Sequence, residues 1–159
     1  MANTQSMCTS FLGELLSATH NFSSANPAHT ANTADTFKAA LYLTSATLNA
    51  STTAYSTTGE VTGSGYTAGG VTVTNGTNPL AANSSTTAGV GYWTPSASIT
   101  YTSVTLATAF DSVLIYNSSQ SNKAVSVHTF GSQTVTAGTF TLTMPSNTTS
   151  TALLRLATT

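Results

Sequence analysis

The stretch SVLIYNSSQSNKAVSVHTF, residues 112–130, sets two apolar segments on either side of a short polar insert. Ser112–Asn117 is almost continuously apolar, as in a central strand covered on both faces. Asn117–Asn122 has the composition of a loop. From Lys123 to Phe130 the period is two, with Val125, Val127 and Thr129 alternating against Ser126, His128 and Phe130.

The extended pattern recurs on both sides. Phe37, Ala39, Leu41 and Leu43 alternate with Lys38, Ala40 and Tyr42, which predicts a half-buried strand. Val71–Thr74 predicts a short strand ahead of an Asn75-Gly76 turn, and Tyr92-Trp93 restarts extended chain up to Pro95. Ile99, Tyr101 and Ser103 share one parity while Val104 and Leu106 take the other, so a strand over 98–106 needs a bulge near Thr102–Ser103. Thr139–Met144 places Phe140, Leu142 and Met144 on one face before Pro145, and Ala152–Ala157 is a last strand. Between these lie Ser/Thr/Ala-rich residues 45–58, residues 59–70 with five glycines, and the low-complexity loop 81–89. About eight short strands predict an all-β fold, an eight-stranded antiparallel sandwich or its jelly-roll variant. No fixed-length repeat supports a solenoid.

One segment breaks the pattern. In QSMCTSFLGELLSAT, residues 5–19, Cys8, Phe11, Leu12, Leu15 and Leu16 recur at helical spacing behind Thr4 as N-cap, predicting a short amphipathic helix interrupted by Gly13. Its apolar stripe either covers the core of its own domain or docks on a neighbouring subunit. Residues 20–35 have a linker's composition, so the chain divides into an N-terminal helix-and-linker arm, 1–35, and a β-sandwich domain, 36–159.

Charge narrows the function. Seven side chains carry it (Glu14, Asp35, Lys38, Glu60, Asp111, Lys123 and Arg155), 4% of the chain against roughly 25% in an ordinary globular domain. The remaining polarity is Ser, Thr and Asn, which lose water more cheaply than ions do. Such an exterior suits permanent contact with other protein. Three scattered cations cannot displace phosphate counterions or hold an anionic membrane surface, so neither nucleic acid nor membrane is an expected partner. The single cysteine, Cys8, allows no intrachain disulfide. With no signal-peptide pattern and no apolar run of about 20 residues, synthesis and assembly in a host cytoplasm are expected.

Catalytic chemistry finds no foothold. The three histidines and two aspartates show no nucleophile elbow beside them. His20 and His29 fall in the linker, and His128 reads as a cross-strand or surface histidine. Cys8, His20 and His29 lack metal-ligand spacing. Glu60 and Asp111 carry no local sign of a carboxylate pair. The run Gly63–Gly70 lacks the Lys-Ser/Thr of a phosphate loop and opens no helix. The expectation is no enzyme, no catalytic residue, no metal and no cofactor.

Tyr42 and Tyr66 fall on outward or loop positions, and Tyr92-Trp93 at a strand start; such aromatics anchor interfaces, stack on sugars or seal a sandwich end. Residues 36–70, TFKAALYLTSATLNASTTAYSTTGEVTGSGYTAGG, resemble a pattern of small virion proteins of tailed bacteriophages. The matching positions are Asp35, Phe37, Lys38, Leu41 and Tyr42, then Thr53, Ala54, Tyr55, Glu60, Val61, Gly63, Gly65, Tyr66, Ala68, Gly69 and Gly70. Residues 110–144, with an L-I-Y-N strand, an asparagine–lysine turn and a final F-T-L-T strand, are similar as well. The resemblance implies a capsid decoration or cement subunit, a β-sandwich that binds the major capsid protein lattice from outside as a dimer or trimer. It brings no catalytic residues. The interface residues expected are Phe11, Leu12, Leu15 and Leu16 on the helix, with Tyr42, Tyr66, Tyr92 and Trp93. The alternative is a carbohydrate-binding module on a tail or fibre, with Tyr66, Tyr92 and Trp93 stacking on sugar.

Overall fold

The structure, a computed structural model, describes residues 2–23, 33–75, 79–82 and 89–158. The fold is all-β with one short helix. In chain order the elements are β1 (Ser6–Met7), α1 (Thr9–Leu16), β2 (Phe37–Leu43), β3 (Val71–Thr72), β4 (Leu80–Ala82), β5 (Val90–Trp93), β6 (Ile99–Asn117), β7 (Lys123–Leu142) and β8 (Leu154–Ala157). All pairings are antiparallel: one sheet runs β1-β7-β6-β2-β3 and a smaller one β4-β5-β8.

A single long hairpin, β6 and β7, is the frame. The predicted strands 98–106 and 112–117 merge into the 19 residues of β6, and 123–130 and 139–144 into the 20 residues of β7. Residues 107–111 and 131–138 show no apolar alternation, so by pattern they read as gaps. Their backbone N–H and C=O groups still need partners, and cross-strand pairing supplies them. The pairing slips at five places, one of them between Tyr101 and Val104. There Ser103 takes a φ of 53°, and Ala137, opposite the neighbouring slip between Val104 and Leu106, takes 45°, so the bulge lies where the parity change places it. At the opposite end Ser121 and Asn122 turn the chain with φ of 52° and 59°.

Residues 112–117 lie between β2 and β7 and are buried throughout, as a central strand should be. β2 departs from its half-buried expectation. Ala40 and Tyr42 are as buried as Ala39 and Leu41, because residues 44–70 fold over the second face of the strand. Val61 N–H reaches the Leu41 carbonyl at 3.0 Å and Leu43 N–H reaches the Gly59 carbonyl at 2.9 Å.

The N-terminal segment shares this core instead of standing off as an arm. Ser6 and Met7 pair with Val127 and Ser126, and Cys8 N–H continues to the Val125 carbonyl at 3.0 Å. That pairing takes residues the helical spacing had claimed, so α1 starts at Thr9 with Cys8 as its N-cap, not Thr4. Asn3 ties this end down: its amide donates to the Leu43 carbonyl at 3.0 Å and to Asp111 at 2.7 Å, while its oxygen accepts from Leu48 N–H at 2.9 Å. Phe11 is buried, and Phe22, inside the expected linker, stacks on Phe37 with centroids 4.3 Å apart. The small sheet joins the same core through Trp93, whose ring lies 4.8 Å from Phe22 and 6.2 Å from Phe37, and through Leu154. Residues 24–32 of the expected linker, 83–88 of the expected loop and Gly76 of the expected turn lie outside the described residues.

Candidate functional site

Three clusters of side chains stand out, and each begins in a segment the sequence marks. The first is in the glycine-rich motif. Glu60 is 6% exposed, and three donors converge on its carboxyl group. Tyr66 Oη and Gly69 N–H each lie 2.7 Å from Oε1, and Tyr55 Oη lies 2.6 Å from Oε2. Tyr66 Oη also accepts from Leu41 N–H at 3.0 Å, which links the motif to β2. Tyr116 donates to the Gly69 carbonyl at 2.8 Å and stacks on Tyr55 at 4.7 Å. Tyr42 donates to the Ser56 carbonyl at 2.5 Å. Burial, and after it the neighbouring Glu60 carboxyl, pushes the Tyr116 phenol up to about 12. Burial raises Tyr66 further, with the hydrogen bond to Glu60 adding to it. These phenols stay protonated donors at any physiological pH, and among the described residues no cation pairs with Glu60. The cluster is a clasp that fastens residues 59–70, which lack regular structure, onto the sheet. Tyr42, read from the sequence as outward, is 1% exposed and belongs to this clasp. Tyr66 belongs to it through its hydroxyl.

The second cluster holds α1 and the chain after it. Glu14 accepts from Lys123 Nζ at 2.6 Å and from His20 Nε2 at 2.7 Å. The Asn117 amide nitrogen, 2.7 Å from Asp35 Oδ2, lies 3.0 Å from His20 Nδ1. An amide donor on Nδ1 leaves the ring proton on Nε2, directed at Glu14. Burial raises the Glu14 carboxyl, but the hydrogen bonds from Lys123 and His20 outweigh it and hold the group below the usual carboxylate range. Four of the chain's rare ionisable groups are therefore used to fasten the N-terminal segment and the start of β2 to the β6–β7 turn.

The third cluster is a groove between α1 and the small sheet, with a volume of about 130 Å³ and an apolar lining. Phe11 and Leu15 come from the helix and Tyr92 and Trp93 from β5, so four of the eight expected interface residues meet here. Phe22, Leu154 and Leu156 line it too. Phe22 carried no signal in its Ser-rich surroundings. Leu156 shares the parity of Leu154 on the last strand, and that spacing was available to find it. Leu12 and Leu16 do not line the groove but stand on the outer side of α1, Leu16 being 92% exposed. Trp93 is buried and its indole N–H reaches Asn75 Oδ1 at 3.3 Å, whereas Tyr66 and Tyr92, the other two rings named for sugar stacking, are half-buried.

His128 stands on β7 opposite Val113, its Nε2 2.9 Å from Ser126 Oγ. Burial lowers its pKa to about 4 from an ordinary 6.5. Between those values the folded chain binds fewer protons than the unfolded chain, so acidification favours unfolding. The contribution of His128 is complete above pH 6.5 and lost as pH falls to 4, up to about 3 kcal/mol. Urea midpoints should fall through this window, and H128Q should flatten the decline. A wild-type midpoint that stays level from pH 7 to 4 would refute the assignment. Among the described residues no group of three His, Cys, Asp or Glu side chains could hold a metal ion.

Comparison of the chain with protein-family models, with curated proteins and with solved structures returns no match.

Proposed function

We propose that the chain is a structural virion subunit of a tailed bacteriophage, a decoration or cement protein that binds the major capsid protein and stabilises the shell. The observation that carries this reading is the side of the molecule around α1. In a chain whose side chains are 4% charged, Leu12, Leu16 and Leu156 are 43%, 92% and 43% exposed beside an apolar groove. Leucines this open beside a groove mark a surface meant for contact. The mechanism needs no chemistry: many modest contacts, repeated around a closed shell, add through multivalency. Past Val127, where its pairing with β1 ends, the outer edge of β7 has no strand partner among the described residues and offers a second mode of self-association.

The test is copy number. Gel densitometry of purified particles should give this chain in a fixed, high ratio to the shell protein, and a few copies per particle would refute the reading. Binding should also resist salt. In about 1 M salt, where the Debye length is ~3 Å, ion pairs between partners are screened but apolar contacts are not. Release by salt alone would count against it.

A further inference from the structure

The apolar groove does not end at Leu154. Met7 and Leu154 also border a second hollow of about 320 Å³, which continues between β1 and the start of β8. Its character is different. Ser126 and His128 line it from β7, Gln5 and Ser6 from the N-terminal strand, and Arg155 from β8. Together the two hollows form one cleft along β8, apolar at one end and polar at the other.

Three features of the polar end point the same way. Arg155 is exposed and makes no ion pair among the described residues, in a chain with three cations in all. Among the described residues no acidic side chain lines either half of the cleft. His128 is kept neutral by burial at physiological pH and adds polarity without charge. Arg155 is therefore an uncompensated positive charge at the mouth of an otherwise neutral cleft, and its fork of N–H donors matches a carboxylate. Among the described residues β8 pairs only with β5 and is the outer strand of its sheet. Its outward amides give an extended chain a template for strand addition.

We infer that this cleft is the docking site for an extended peptide segment of a partner protein, with apolar side chains seated against Phe11, Trp93 and Leu156 and a carboxylate bound by Arg155. The inference deepens the virion reading by naming what the shell would present: an apolar stretch followed by an acidic residue or a chain terminus. The two readings fail separately, because peptide binding is measured on the isolated protein and copy number on particles.

The probe is a fluorescein-labelled peptide of eight residues, two leucines followed by two aspartates in a serine–threonine frame. A second peptide has lysines in place of the aspartates. Fluorescence polarisation should show saturable binding of the acidic peptide only. R155E should weaken it at least about tenfold and confer binding of the lysine peptide. L156D should weaken the acidic peptide by a similar factor, on the order of tenfold. Both positions are exposed, and circular dichroism checks that the variants fold. Unchanged affinity in R155E, or no saturable binding by the acidic peptide, would overturn the inference. So would light scattering that shows a dimer dissociated by L156D, since a second copy would then be the occupant.

Discussion

Glu60→Ala is expected to be among the most damaging single substitutions in this chain, lowering stability by about 4 kcal/mol and the melting temperature by on the order of 10 °C. The reason is what remains after the carboxyl is gone. Tyr55, Tyr66 and Gly69 each direct a donor at Glu60, the Gly69 N–H fully buried and the two tyrosines half-buried. A buried donor left unpaired costs roughly 1–3 kcal/mol, several times the net gain of an ordinary hydrogen bond. Glu60→Gln should lie between, because the amide keeps the volume and one acceptor oxygen but turns an NH2 toward a donor. Calorimetry and the near-ultraviolet tyrosine signal report the two variants. Stability of Glu60→Ala within about 1 kcal/mol of wild type would show that the clasp is not what holds residues 59–70 to the sheet.

Gly70→Ala is expected to be of similar or greater severity, with a loss of at least about 3 kcal/mol and failure to fold as the extreme outcome. Gly70 has a φ of +71°, and a Cβ there would overlap the carbonyl oxygen of Ala39. Both are backbone constraints, so no side chain can move aside. Relief requires parting β3 from β2, where Ala39 pairs with Val71 and Lys38 with Thr72. The control is Gly13→Ala. Gly13 lies on α1, and a methyl group added there would meet nothing within 4 Å, so alanine should raise stability by about 0.5–1 kcal/mol. Urea unfolding of the two variants should move the midpoint in opposite directions. Equal midpoints would remove the argument that close backbone approach, and not glycine content, defines the motif.

The glycine-rich motif shows where sequence reading stops. The spacing of Gly63, Gly65, Gly69 and Gly70 says that the chain must turn and approach another backbone, but not which one. Nor does it say that the one acid in the segment is its anchor. Glu60 looks like any turn acid until Tyr55, Tyr66 and Gly69 are brought around it. Tyr42 misleads for the same reason: strand parity puts it opposite Leu41, and parity cannot reveal that a later loop covers that face. Phe22 is read as linker because its neighbours are Ser and Asn, yet it stacks on Phe37. The helical residues fared differently. Phe11 and Leu15 both line the groove because helical spacing does place them on one side of α1.

The amino-acid order alone determined the all-β class, the central place of Ser112–Asn117, the bulge at Ser103 and a surface nearly free of ions. These are properties of local period and composition, and each can be read within a few residues. Tertiary structure alone decided that the long strands run through their polar middles, that the N-terminal segment joins the core, and that Arg155 stands at the end of an apolar cleft with no ion pair among the described residues. Those outcomes depend on which distant backbone groups satisfy one another and which surfaces are left uncovered, and the chain meets that condition only once it has closed on itself.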